Sequence, residues 1–167
     1  FNQYSFSQEL CPPSSINVFG GDQQNIVSWG EPVGNIGCGD YAINELPYTH
    51  QGNNTGTGDN WPVSGSQGED VAYTLNVGQA TTFDFTLCSM VTDYDTKLEI
   101  FTFDGTDCDS TYTDAVTTGN YNDDGTFCPE SPAPYTPSLL ENVTLAAGQY
   151  YIIVDGFGTS TGNYEIN

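Results

Sequence analysis

From Val71 to Ile166 apolar residues recur at every second position in short runs, and each run is closed by Gly, Asn or Asp. Val71, Tyr73, Leu75 and Val77 alternate with other residues, and Phe83, Phe85 and Leu87 repeat the pattern after Gly78 and Gln79. Leu98, Ile100, Phe101 and Phe103 form the next run, and Leu139 to Leu145 another. A period of two places side chains on opposite faces of a strand, whereas a helix needs 3.6. The first of these strands should keep one wet face. Tyr150 to Val154 is apolar at both parities, which predicts a central strand buried on both faces. Tyr164, Glu165 and Ile166 make the last strand. Eight or nine short strands with turn residues between them predict an all-β fold, a two-sheet antiparallel β-sandwich.

The length of 167 residues suits one such domain with a proper core. Residues 38–167 are expected to hold it, with residues 1–37 as an N-terminal arm and extension. In that extension Phe1 to Gln8 has strand character, with Tyr4 and Phe6 on one face, and Pro12 and Pro13 stop it. Ile26 to Trp29 is a second short strand, preceded by a turn at Gly20, Gly21 and Asp22. Leu46 to His50 reads as an edge strand, because Pro47 has no N–H to give a ladder. Asp104 to Pro137 reads as a long excursion, a hairpin plus a surface loop.

Charge narrows the partners. Lys and Arg total 1 against 22 Asp and Glu, a formal net charge of -21. Phosphate contacts need Lys and Arg, so nucleic acid is excluded as a partner, and an anionic membrane surface with it. No apolar run is long enough to span a bilayer. Like charges at this density strain a compact state, and bound cations or low pH relieve it. Aromatic residues at 13% argue for a packed core rather than disorder. A chain that opens on Phe1 and contains almost no trypsin site is expected to be a processed protein of the cell surface or extracellular space.

Five successive pieces resemble a known family in their order. They are residues 68–75, beginning Gly68-Glu69-Asp70; residues 93–101, from Asp93 to Phe101; Tyr121 to Gly125, with Asp123 and Asp124; residues 146–156, ending Asp155-Gly156; and Gly162 to Ile166. Together they resemble the bacterial pre-peptidase C-terminal domain family over roughly residues 38–167. The resemblance implies a secreted, jelly-roll-like β-sandwich that binds, tethers or bridges and does not catalyse. Matching acidic turns in that family hold structural calcium. The resemblance therefore nominates Asp93, Asp95, Asp123 and Asp124 as ligands, with Asp59 and Asp70 to complete the shell. Calcium takes six to eight oxygens, and carboxylates in turns supply them. The competing reading makes these turn carboxylates that bond their own backbone.

The five cysteines are Cys11, Cys38, Cys88, Cys108 and Cys128. In a secreted chain most should pair. The pairing expected first is Cys108–Cys128, closing a loop across adjacent strands. Cys11–Cys38 would staple the N-terminal segment, leaving Cys88 free and buried beside Leu87. The family often carries a second cysteine in the loop that here runs Asn53 to Gly58; this chain lacks it, so Cys38 needs another partner. The sequence leaves the connectivity open.

Catalytic signals are poor. His50 is the single histidine, no Gly-x-Ser-x-Gly elbow occurs, and nothing distinguishes one carboxylate pair from another. Aromatic side chains in or near loops, Trp61, Tyr48, Tyr121, Tyr112 and Tyr135, are candidates for stacking on sugars, or for local packing. Asn53 and Asn142 stand in glycosylation sequons, and Ser131, Thr136 and Ser138 lie in a Pro-rich stretch suited to O-linked sugars. The arm carrying Phe1, Tyr4 and Phe6 can add a strand to a neighbouring copy, and open head-to-tail contacts of that kind build filaments. The functional expectation is a structural subunit that assembles with itself. The alternative is a carbohydrate-binding accessory module of a larger secreted enzyme.

Overall fold

The computed structural model describes residues 16–21, 24–29, 38–103, 112–125, 128–129 and 135–167. Among them the fold is all-β, eleven strands and no helix. The chain forms two compact units, Phe1–Ile36 and Gly37–Asn167. In the first, β1 (Ile16–Gly21) and β2 (Gln24–Trp29) pair antiparallel, with Gly21 opposite Gln24. β2 contains the expected Ile26–Trp29 strand, and β1 runs through Gly20 and Gly21. Phe1, Tyr4, Phe6, Cys11 and Ser131 lie outside the described residues.

The second unit holds β3 (Tyr41–Ile43), β4 (His50–Asn53), β5 (Val71–Val77), β6 (Thr81–Thr86), β7 (Thr96–Thr102), β8 (Val116–Asn122), β9 (Leu139–Leu145), β10 (Gly148–Gly156) and β11 (Asn163–Ile166). One sheet has the order β3-β5-β10-β7-β8, antiparallel except for the parallel pair β3–β5. β10 is its centre, as the two-sided apolar run predicts. The other strands pair as β4–β11 and β6–β9. Reciprocal backbone bonds of 3.0 Å between Thr86 and Asn167 join β6 to the end of β11, so these four strands line up as a second layer. This is consistent with a β-sandwich.

The main core lies between the layers. Tyr73, Leu98, Ile100, Ile152 and Val154 from the first meet Phe85, Leu140, Val143, Tyr164 and Ile166 from the second. Each large apolar side chain removed from water this way contributes roughly 1.5–3 kcal/mol.

The other face of the five-stranded sheet is covered too, contrary to the wet face expected of β5. Ala72, Phe101, Tyr151 and Ile153 point outward into a second apolar cluster with Cys38, Trp61, Val63 and Tyr112. Trp61 stacks within 4.3 Å of Tyr112 and 5.0 Å of Tyr151, ring centre to ring centre. The segment 61–64 is tied down by charges on β7. The Ser64 N–H donates to Glu99 at 2.9 Å, and Lys97 donates to the Ser64 carbonyl at 2.9 Å. Both charged residues are buried.

Two expectations are corrected. Leu46 to His50 is not an edge strand: only His50 belongs to a strand, β4, and the residues before it carry the chain from β3 in one layer to β4 in the other. Pro47, which cannot donate, sits in that crossing. The Cys108–Cys128 pairing also fails, because Cys128 is bonded to Cys88, with Cα atoms 5.3 Å apart. Ser138 explains the proximity. Its carbonyl accepts from Leu87 N at 2.9 Å, and its hydroxyl donates to the Asp123 carbonyl at 3.0 Å. The loop after β8 is thereby drawn toward the end of β6, and Cys88 is no free thiol. Cys38 is disulfide-bonded as well; Cys11 and Cys108 lie outside the described residues. Such bonds form in oxidising surroundings.

Candidate metal centre

The antiparallel register of β7 and β8, with Leu98 opposite Asn122, puts the start of β7 and the end of β8 at one end of the sheet. Asp95 immediately precedes β7, and Asp123 and Asp124 immediately follow β8. Each offers a carboxylate oxygen, and the three oxygens lie within 4.8 Å of one another. Asp124 is exposed, while Asp95 and Asp123 are half-buried.

The surrounding bonds hold the turn in place. Thr136 donates to Asp95 Oδ1 at 2.9 Å. Leu139 N donates to Asn122 Oδ1 at 2.9 Å, and Gly125 N to the Pro137 carbonyl at 3.1 Å. A Cβ at position 125 would approach that carbonyl to 2.4 Å, so glycine is required for this crossing. Lys97 Nζ stands 3.6 Å from Asp123 Oδ2. Asp123 Oδ1 is buried and accepts no hydrogen bond.

Burial pushes the Asp95 carboxyl above its ordinary range. The Thr136 hydrogen bond opposes that, Asp124 and Asp123 reinforce it, and Lys97 opposes it again. For Lys97 burial works against the ammonium, but Tyr121 and Asp123 outweigh it and hold the proton more firmly than usual. Three carboxylates facing one ammonium leave excess negative charge and hard oxygen ligands at the surface. That donor set suits a hard cation rather than a soft metal.

The six nominated ligands do not form one shell. Asp93 is turned away from the triad, and its two oxygens accept from Asn163 N and Nδ2, both at 2.8 Å, and fasten β11. Asp70 is buried, and its Oδ2 accepts from Asn60 N and Trp61 N, both at 2.8 Å. Asp59 is exposed, and its charge acts on Asp70 and on Asp155 rather than on the triad.

The aromatic candidates divide as well. Trp61 is 3% exposed and Tyr112 is buried beside it, so neither can stack on a sugar; they cap the outer cluster. Tyr121 is half-buried, with Lys97 5.6 Å from its ring centre. Tyr48 is half-buried and Tyr135 exposed. His50 Nδ1 is 2.7 Å from the Tyr73 hydroxyl, which is 2.8 Å from that of Tyr164. Burial lowers the affinity of His50 for a proton, in keeping with a structural place in this chain of bonds. Asn53 and Asn142 are exposed. Asn142 has φ of 56° at an irregularity of β9, where its N–H donates to Asp84 at 2.7 Å. Asn tolerates that left-handed backbone better than most residues.

The burial of Lys97, Glu99 and Asp155 is hidden in the sequence, because charged residues in alternating strands read as the wet face. One signal is present. Asp155 has the parity of Tyr151 and Ile153 in a strand whose two faces are both apolar. No family model, curated protein or solved structure matches the chain.

Proposed function

We propose that this chain is an extracellular, non-catalytic structural subunit that assembles with copies of itself into a filament or surface matrix. The β-sandwich is read as jelly-roll-like, in keeping with the resemblance to pre-peptidase C-terminal domains. Disulfides stiffen it, and calcium at Asp95, Asp123 and Asp124 offsets its charge.

The observation that carries this reading is the division of the chain. The first unit contains the hairpin β1–β2, a two-stranded sheet of its own. A two-stranded hairpin is marginal by itself in water, and a unit of this size has too little interior for a core of its own. A surface to lie on stabilises such a hairpin, and in this reading a second copy provides it. Charge favours this end of the chain: residues 1–21 contain a single acid, Glu9, out of 22 in the whole sequence. Two strongly acidic bodies meet with least repulsion through that segment.

The acceptor we assign is the apolar cleft of the body. It encloses about 190 Å³ and is lined by Ile43, Leu46, Tyr48, Leu75, Phe83 and Ile166. Leu46 at its rim is 60% exposed. Negative-stain electron microscopy of the purified protein tests the reading. Regular fibres are expected, lost when residues 1–8 are deleted and weakened by a calcium chelator. Dispersed monomers of the intact chain would refute it.

A second reading, a carbohydrate-binding module, rests on the rings of Tyr41 and Tyr48 that flank His50, at 4.3 Å and 6.4 Å. Tyr41 is 41% exposed. Binding on a glycan array that Tyr41→Ala abolishes would favour it.

A further inference from the structure

We propose that the body offers an open strand position beside β6, and that residues 1–8 of a second copy occupy it by main-chain pairing. This mode of contact rests on the self-assembly reading above. On one side β6 pairs with β9 along its length. On the other side Thr86 exchanges reciprocal N–H···O=C bonds of 3.0 Å with Asn167. Alternate residues of an antiparallel strand turn their backbone groups to the same side, so Thr82 and Asp84 face the way Thr86 does. Neither has a backbone partner there among the described residues.

The other edges of the body are blunted. β3 has three residues and β4 has four. The register of β8 on β7 is broken around Gly119, with φ of +82°. That of β9 on β6 is broken around Asn142, with φ of 56°. Short or irregular edges are how β proteins keep foreign strands off. β6 carries no such device toward the open position. Residues 81–86 include no Pro, Lys or Gly. The one charge among them, Asp84, is turned to β9, where it accepts from Asn142 N at 2.7 Å.

The apolar cleft of about 190 Å³ belongs to the same place, since Phe83, Asp84, Phe85, Ile166 and Asn167 all line it. A strand laid there extends the line of β11 along β6 and presents every second side chain to the cleft. Residues 1–8 suit that position. Tyr4 and Phe6 share one parity, as Phe83 and Phe85 do. None of their side chains is charged, in a chain with 22 acids, so they approach the acidic body without repulsion. At about 3.3 Å per residue they reach about 26 Å, more than the roughly 17 Å of residues 81–85. Supplied by a second copy, the strand makes a head-to-tail contact of the kind that builds filaments.

Amide hydrogen exchange tests this, with the full chain as fibres compared with the monomer left by deleting residues 1–8. The Thr82 and Asp84 amides should exchange about tenfold or more slowly in the fibre. Those of Phe83 and Phe85, which face β9, should be slow in both. Thr82→Pro removes one N–H on the open side and none from the β6–β9 ladder, so the variant should melt cooperatively and stay monomeric. Should it fail to fold, the exchange comparison decides alone. Fibres whose Thr82 and Asp84 amides exchange as fast as in the monomer, or a folded Thr82→Pro variant that still assembles, would overturn the strand position and leave self-assembly standing. An intact chain that stays monomeric would sink both. Slow Thr82 and Asp84 amides in that monomer would assign the position to the chain's own arm instead of a second copy's.

Discussion

The two faces of the five-stranded sheet are buried by different means. On the inner face Leu98, Ile100, Ile152 and Val154 meet a second layer of apolar side chains, and contact area accounts for the cohesion. On the outer face the cover comes from Cys38, Tyr112 and the segment that begins with Trp61 and Val63, laid over Phe101, Tyr151 and Ile153. That segment is anchored by polar bonds to buried charges: Ser64 to Glu99 and Lys97, and Ser66 to Gly156 beside Asp155. The inner face is generic and tolerant of conditions. The outer face depends on the ionisation of a few groups. A highly acidic chain thus has one part of its fold whose cover is held by charged and polar groups, and it is the part next to the turn of Asp95, Asp123 and Asp124.

The largest effect should come from the inner face. Ile152 is fully buried at the centre of β10, and Ile152→Ala should destabilise the body by about 4 kcal/mol through lost contact and a residual cavity. Urea unfolding measures it, and the loss should be the same in chelator and in excess calcium. A loss that calcium reverses would mean the two faces are not independent.

The outer face should yield a smaller but condition-dependent change. Lys97→Met keeps most of the aliphatic bulk and removes the charge. It leaves the Ser64 carbonyl and Asp123 without their donor. A loss of about 2 kcal/mol is expected, since a buried polar group without its partner costs about 1–3 kcal/mol. Unlike the first loss, this one should shrink when calcium is added, because the cation supplies positive charge beside Asp123. Equal losses with and without calcium would break the contrast.

The inner face was legible in the sequence and the outer face only in β10, whose run of apolar residues at both parities predicts burial on both sides, for a physical reason. Alternation marks residues facing a broad apolar layer, so β5, β6, β7, β9 and β10 stand close to their expected positions. It carries no information about a loop that folds back over the other face. Ala72 and Thr74 are small enough to pass for surface residues, yet both are buried. Lys97 and Glu99 look solvated because burial of charge needs partners distant in sequence, here Ser64 and Thr117. The three-residue β3 pairs parallel, which no local pattern signals. The acidic turns were visible as residue types. Three of the nominated acids converge because β7 and β8 share a hairpin register, while Asp93 points to β11, and only the fold decides between those outcomes. The Cys88–Cys128 bond has the same origin, since Ser138 links elements that the sequence separates.

The smallest effect is a slope rather than a step, and it isolates the buried acids. Burial, against the hydrogen bonds from Trp61 and Asn60, raises the Asp70 carboxyl to about 7. Burial, against the bonds from Gly156 and Ser66, raises that of Asp155 to about 6. Unfolded, both groups titrate near 4. Between about pH 4 and pH 7 the folded chain therefore binds protons that the unfolded chain has released. The sign follows from linkage: the stability is fully present below pH 4 and is lost as pH rises toward 7. Each group contributes at most about 1.4 kcal/mol per pH unit within that window. In chelator, the melting temperature should climb as pH falls from 7 to 5. Relief of general repulsion among 22 acids acts in the same direction, so the slope of the native chain alone decides nothing. The comparison with Asp155→Asn does, because that change deletes one titrating group and leaves the other surface acids in place. A visibly flatter slope between pH 4 and 6 in the variant assigns the effect to the outer face. Superimposable slopes would mean that Asp155 titrates alike in the folded and the unfolded chain, and the contrast between the two faces would then rest on Lys97 and Glu99 alone.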